Sequence, residues 1–177
     1  MKPFLSNELP GAYSGTPIEL LYDYHNHNII HDDEYHSARL LVGMCMDNRK
    51  QLKVPKNFAY IIRTGGGNLR YNELQVSLVI AVHGVKHIVL IGHDQCGMVN
   101  LNAKKGVFIE GLVQNAGWDR ESAREHFECN ISSFEINNEK DFVLSEAKRL
   151  RLKYPNVIVA PMMYLIGDDR LYFVREE

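Results

Sequence analysis

Two short stretches hold the residues best suited to chemistry. Cys45-Met46-Asp47-Asn48-Arg49 offers a thiol, a carboxylate and a guanidinium within five residues. His93-Asp94-Gln95-Cys96-Gly97, beginning 48 residues after Cys45, adds an imidazole and a second thiol. Two thiolates and one imidazole suit Zn²⁺, whose charge the thiolates neutralise. Three protein ligands and an open fourth position is the catalytic arrangement, whereas structural sites are closed by a fourth Cys or His. The fourth position here falls to a water or to a nearby carboxylate. If the segment after Cys45 stays extended, Cys45, Asp47 and Arg49 point the same way. Asp47 then accepts a hydrogen bond from a water on the metal, while Arg49 keeps Asp47 ionised and off the ion. Two plainer readings stand beside this one: a structural ion pair, or Asp47 as a permanent fourth ligand. H-x-x-C and C-x-D-x-R are each unspecific alone; together, each following an apolar strand, they are specific.

Those strands are read from the hydrophobic pattern. Ala38 to Cys45, Phe58 to Arg63, His87 to Gly92 and Val157 to Met163 are short, nearly continuous apolar runs, as expected of strands buried on both faces. Pro161 places the end of the fourth at an edge or bulge. Leu171 to Val174, after the turn signal Gly167-Asp168-Asp169, reads as a short antiparallel fifth strand. Helical patterns fill the gaps: Thr16 to His36, Asn72 to Val85, Asp119 to Phe127 and Asn138 to Lys153. Asp119 and Asn138 are candidate N-caps. The expected fold is α/β: a mainly parallel four-stranded sheet with a short antiparallel fifth strand and helices on both faces. Ligands of such sheets sit beyond the carboxyl ends of the strands, where both motifs fall. Residues 1–36 read as an arm and a helix, and 38–177 as the α/β core of one domain.

Composition narrows the function. The chain has 177 residues, 45% hydrophobic and 24% charged, with a net charge of −2, which fits a single soluble domain. There is no basic excess to attract nucleic acid or an anionic membrane. Apolar runs such as Leu78 to Val82 are far short of the roughly 20 residues a membrane span needs. No apolar signal region opens the chain, so the expected compartment is the cytoplasm, with thiols free or metal-bound. Cys129 has no companion motif and reads as a buried small hydrophobe. His25, His27, His31 and His36, among Asp32, Asp33 and Glu34, read as a solvated face. Gly65-Gly66-Gly67 lacks the spacing of a phosphate loop and reads as a turn that admits close backbone approach. The alternating charges from Asp119 to Glu128 read as a solvated helix face.

The sequence resembles the β-class carbonic anhydrases. The matching stretches are Cys45-Met46-Asp47-Asn48-Arg49, Ile61-Ile62-Arg63-Thr64-Gly65-Gly66-Gly67-Asn68, Ser77-Leu78 opening a helix, Gly84-Val85-Lys86-His87-Ile88 and Gly92-His93-Asp94-Gln95-Cys96-Gly97-Met98, with Tyr164-Leu165-Ile166-Gly167-Asp168-Asp169 near the end. The C-M-D-x-R form and the ending C-G-M are similar to the compact archaeal and bacterial branch. The resemblance implies Zn²⁺ held by Cys45, His93 and Cys96, an Asp47–Arg49 dyad, the Gly97 backbone N–H helping to hold substrate, and a homodimer or higher homo-oligomer. It implies hydration of CO₂ to bicarbonate and a proton. The family's R-N-A-G stretch is altered here, with Thr64-Gly65 in place of Asn-Ala. A bicarbonate-regulated subgroup carries a tryptophan where this chain has Val42. The same fold and ligands serve carbon disulfide and carbonyl sulfide hydrolases, which remain an alternative, as does a non-catalytic zinc-binding interaction protein.

Overall fold

Four apolar runs that cannot face water on either side demand a sheet covered on both faces. The computed structural model, which describes residues 3–31 and 34–176, has such a sheet, although the second run, expected to be buried on both faces, forms its edge and is only half-buried. Its strands are β1 (Pro3–Ser6), β2 (Leu40–Cys45), β3 (Ala59–Thr64), β4 (His87–His93), β5 (Ile158–Leu165) and β6 (Arg170–Glu176). They form one sheet in the order β1-β6-β5-β4-β2-β3. The β3–β2, β2–β4 and β4–β5 ladders are parallel, and β6 runs antiparallel to both β5 and β1. The expected four parallel strands and antiparallel fifth are all present. The sixth, β1, lies in a stretch read from sequence as an arm or loop. Four residues are too few to show a period, and only pairing with β6 makes them a strand.

The helices are α1 (Pro17–His27), α2 (Glu73–Ala81), α3 (Lys105–Ala116), α4 (Arg120–Phe134) and α5 (Glu139–Lys153). Thr16 caps α1 through its side chain and Pro17 occupies the first turn. The helix stops at Asn28, whose φ of 55° is left-handed, well short of the expected His36. The helix expected from Asn72 begins at Glu73 and its α-helical part ends at Ala81, so Ser77 lies inside α2 and does not open it. The Asp119 and Asn138 caps are formed. α4 runs beyond Phe127 to Phe134. α3 has no counterpart in the sequence reading: it carries Gly106 and Gly111 and buries only Ile109, which leaves little amphipathic signal.

The core has two halves, one on each face of the sheet. Ile18, Leu21 and Tyr22 of α1 cover Leu40, Val42, Met44, Val89 and Ile91 on one side. Val76 and Val79 of α2, with Val143, Ala147 and Leu150 of α5, cover Leu41, Ile88, Leu90 and Val159 on the other. Alternation along β2 and β4 sends neighbouring side chains to opposite halves. α5 sits so close that a Cβ on Gly92 would lie 2.6 Å from Val143 and 2.8 Å from the Met163 sulfur.

Pro161 falls inside β5 and does not end it. The β5–β6 ladder nevertheless runs only from Met162 to Leu165, while β6 continues along β1 past that point. Proline has no N–H to give the ladder, and the two strands separate there. The Val159 carbonyl is taken instead by the Arg151 guanidinium, at 2.5 Å, and by the Tyr13 hydroxyl.

Gly92→Ala is expected to lower stability by about 1–3 kcal/mol through overpacking. Urea unfolding reads this directly; an unchanged midpoint would mean that Val143 and Met163 yield freely.

Candidate metal centre

β2 and β4 are parallel neighbours, so both end at the same sheet edge. Cys45 is the last residue of β2 and His93 the last of β4. Beyond His93 the chain turns sharply through Gln95, at φ 56°, which returns Cys96 to the same place. The result is a buried set of three donors, Cys45, His93 and Cys96, whose ligand atoms lie within 4.8 Å of one another. The two sulfurs are 4.0 Å apart. Ile136, Met98, Val99 and Phe142 pack around the two cysteines.

The donor atoms are poised for a cation. His93 Nδ1 faces the Asp94 carbonyl at 2.8 Å. A carbonyl only accepts, so Nδ1 carries the proton and Nε2 is left with its lone pair. That Nε2 is buried and has no hydrogen-bond partner. An orphaned acceptor in such a place is costly unless something fills it. The sulfurs behave as a pair: a hydrogen bond from Cys96 pulls the Cys45 thiol down, and the same bond pushes Cys96 up. A metal that takes both sulfurs displaces the shared proton. Soft sulfur with imidazole is a donor set for zinc, and the residues present fit it.

Asp47 and Arg49 stand beside this set. The guanidinium grips the carboxylate with Nη2 2.7 Å from Oδ2 and Nε 3.0 Å from Oδ1. The Arg49 backbone N–H also donates to Asp47 Oδ1 at 2.9 Å. This last bond corrects the extended geometry expected from sequence: residues 48 and 49 form a turn, and the Asp47 side chain folds back over it. Arg49 holds Asp47 well below the usual carboxylate range, mainly through the side-chain hydrogen bonds. Asp47 Oδ2 lies 3.9 Å from His93 Nε2 but is not one of the clustered donors. Arg49 in turn donates to the Gln95 carbonyl at 2.9 Å, which ties the first motif to the second. Gly97 adjoins Cys96, and nothing lies within 4 Å of where its Cβ would be.

Several supporting residues escaped the sequence reading. Lys50 is 2% exposed and donates to the Cys45 carbonyl. Tyr164 OH accepts from the Gln51 N–H. His25 accepts the Lys53 N–H on Nδ1, so its Nε2–H donates to the Asp169 carbonyl. Its burial departs from the solvated face expected for the histidine group, whereas His27, His31, His36 and Glu34 are exposed as expected; Asp32 and Asp33 of that group lie outside the described residues. Asp94 accepts the Ile166 N–H, and Glu139 accepts the Cys96 N–H. Lys50 directly follows the first motif and Asp94 lies inside the second, while Tyr164, His25 and Glu139 come from distant sequence. Gly66 and Gly67 have φ of 66° and 79°. A Cβ on Gly67 would sit 3.6 Å from the Cys45 nitrogen, so the glycine turn does admit close backbone approach. Cys129 is exposed, not buried, because it lies on the outer side of α4. The charges of that helix pair along its surface as expected, Arg124 with Glu121 and Glu128.

The carbonic anhydrase family profile matches residues 39–162. Among solved structures, the chain is similar to a carbonic anhydrase from Streptococcus mutans, at 19% identity and TM-score 0.60, over 94% of this chain and 100% of that one. It is similar to β-carbonic anhydrase isoform I from Trichomonas vaginalis, at 17% identity and TM-score 0.64, over 84% and 88%. It is also similar to the apo form of a carbon disulfide hydrolase, at 20% identity and TM-score 0.56, over 76% and 77%. These structural likenesses are of fold. No curated protein matches the chain by sequence.

Two measurements test this geometry. Zinc analysis should find one ion per chain, and Cys45→Ser and Cys96→Ser should each lose it; full zinc in Cys45→Ser would remove Cys45 from the site. Burial lowers the His25 pKa below its ordinary 6.5, so the unfolded chain takes up this proton first. His25 therefore contributes stability that is full above about pH 6.5 and declines as pH falls through that value toward the lowered folded pKa. His25→Gln, which keeps an acceptor and a donor but does not titrate, should flatten that part of the stability–pH curve. An identical slope would rule His25 out as its source.

Proposed function

The chain belongs to the carbonic anhydrase family, and from that premise we propose that Cys45, His93 and Cys96 hold a catalytic Zn²⁺ while Asp47 and Arg49 assist the reversible hydration of CO₂ to bicarbonate and a proton. The observation that carries this reading is the junction of the two motifs. Three donors converge within 4.8 Å, and an ionised carboxylate stands 3.9 Å from the free imidazole nitrogen, clamped by an arginine.

When bound, zinc supplies the Lewis acidity that makes water a nucleophile near neutral pH. Asp47 is an acceptor beside the donor set, suited to orient the O–H of the attacking water. Arg49 occupies both oxygens of Asp47, which keeps the carboxylate ionised and stops it swinging onto the metal ligands. The Gln95 carbonyl fixes Arg49 from the far side. The Gly97 N–H, with no side chain to obstruct it, offers a hydrogen bond to a substrate oxygen. The carbon disulfide hydrolase of similar fold sustains a second reading, hydrolysis of carbon disulfide or carbonyl sulfide on the same residues. A non-catalytic zinc protein would have no use for the clamped Asp47.

We also read the working species as a homodimer or higher homo-oligomer. The N-terminal helix α1 buries its apolar face on its own sheet and leaves none for a partner. The uncovered apolar surface is instead on α2 and beside it: Leu74, Leu78 and Val82 are 81%, 50% and 67% exposed, at helical spacing on one face, with Tyr71 nearby. The open edge strand β3 lies at the same end of the sheet. Among the described residues no helix is long and apolar enough to cross a membrane. Two metal-binding thiols that must stay reduced suit the cytoplasm.

Stopped-flow CO₂ hydration on the zinc-loaded protein, beside sulfide release from carbon disulfide and carbonyl sulfide, tests the reaction. Arg49→Ala should keep zinc and lose about 10²-fold or more in activity; wild-type rates in that variant would reduce Asp47–Arg49 to a structural ion pair. Light scattering should give at least twice the chain mass, and Leu74→Glu with Leu78→Glu should lower it. A single-chain mass with full activity would refute the oligomer.

A further inference from the structure

The separation of β5 from β6 at Pro161 opens a cavity of about 660 Å³, away from the metal ligands. Its cations are Lys148 and Arg151 of α5 and Arg175 of β6. Lys148 and Arg151 are three residues apart and lie on one helical face, in line with Leu144. Among the described residues no carboxylate lines the cavity. The one acidic group paired with these cations among the described residues is Glu8, whose side chain is 81% exposed and 3.8 Å from Arg175. Arg151 spends hydrogen bonds on the Val159 carbonyl and the Tyr13 hydroxyl, neither of which cancels its charge. Arg175 Nε is buried with no hydrogen-bond partner. A concentration of positive charge is not what a chain of net charge −2 gives by default.

The remaining wall is apolar. Leu144, Pro161 and Val174 line it together with Tyr13. The volume lies in the range of small-molecule sites, roughly 300–1,000 Å³, and an inorganic anion would fill only a small part. Three cations with one solvated carboxylate among the described residues favour a ligand with at least two negative charges. Guanidinium forks suit the oxygens of a phosphoryl group, and the apolar wall suits a ring or short hydrocarbon attached to it. We propose that this cavity is a binding site for an organic phosphate of nucleotide size, with Lys148, Arg151 and Arg175 holding the phosphoryl group and Leu144 and Val174 packing on the organic part. The site is independent of the reaction assigned to the metal centre.

The test is calorimetric titration of the full-length zinc-loaded protein with AMP, ADP and inorganic phosphate at physiological salt. AMP or ADP should bind at least tenfold more tightly than inorganic phosphate. Lys148→Glu alters an exposed residue with no ion pair among the described residues, so zinc content and CO₂ hydration should be unchanged while nucleotide affinity falls at least tenfold. Arg175→Gln should weaken binding in the same direction. Absence of binding by both nucleotides up to millimolar concentration overturns the site. Binding that both variants leave intact overturns the placement. Inorganic phosphate binding as tightly as AMP overturns the assignment of an organic ligand.

Discussion

Two thiols and an imidazole can share one ion only if distant stretches of chain finish side by side, and the parallel ladder between β2 and β4 brings that about. The register pairs Leu41 with Ile88 and Met44 with Ile91, so Cys45 and His93 leave the sheet together. A slip of one residue would turn every side chain of a strand to the other face. Because both faces of β2 and β4 are packed, such a slip would expose one half of the core and bury the wrong residues in the other. The hydrophobic core thereby fixes the donor atoms, although it touches few of them.

The polar groups at the edge need a different kind of support. Asp47 and Arg49 lie on an irregular segment, where nothing in the sheet ladder holds them. Their geometry comes from bonds to other parts of the molecule: Arg49 to Gln95, Lys50 to Cys45, Gln51 to Tyr164 and Lys53 to His25. Buried polar groups are tolerable when each finds a partner. The segment is stapled at close intervals, which suits a carboxylate that must remain near the donor set without joining it.

Much of this was legible in the sequence. The four parallel strands and the antiparallel fifth were visible because their residues are nearly continuously apolar, but β3, read as buried on both faces, is a half-open edge with Ile61 exposed. The metal donors and the Asp47–Arg49 pair were visible because their residue types are rarely placed together without a purpose. What stayed hidden was whatever only tertiary contact creates. Nothing near Pro3–Ser6 signals the partner strand β6 that makes it β1. His25 resembles its exposed neighbours until Lys53 and Asp169 close around it. Cys129 belongs to a residue type usually found inside, yet it sits on a helix whose outer side is solvated. Pro161 was read as placing the end of its strand at an edge or bulge; it lies instead inside the inner strand β5, where the β6 ladder stops beside it and the β4 ladder stays whole.

The clamp around the centre draws on the last part of the chain. Asp94 is held by Ile166, and the segment after Cys45 by Tyr164, whose hydroxyl also meets Asp169. Synthesis proceeds from the N-terminus, so all three donors leave the ribosome well before β5 and β6 exist. The nascent chain thus presents a full set of sulfur and nitrogen donors while the strands that seal and orient them are still unmade. The order of the chain leaves the donors open to an ion before the surrounding architecture is complete.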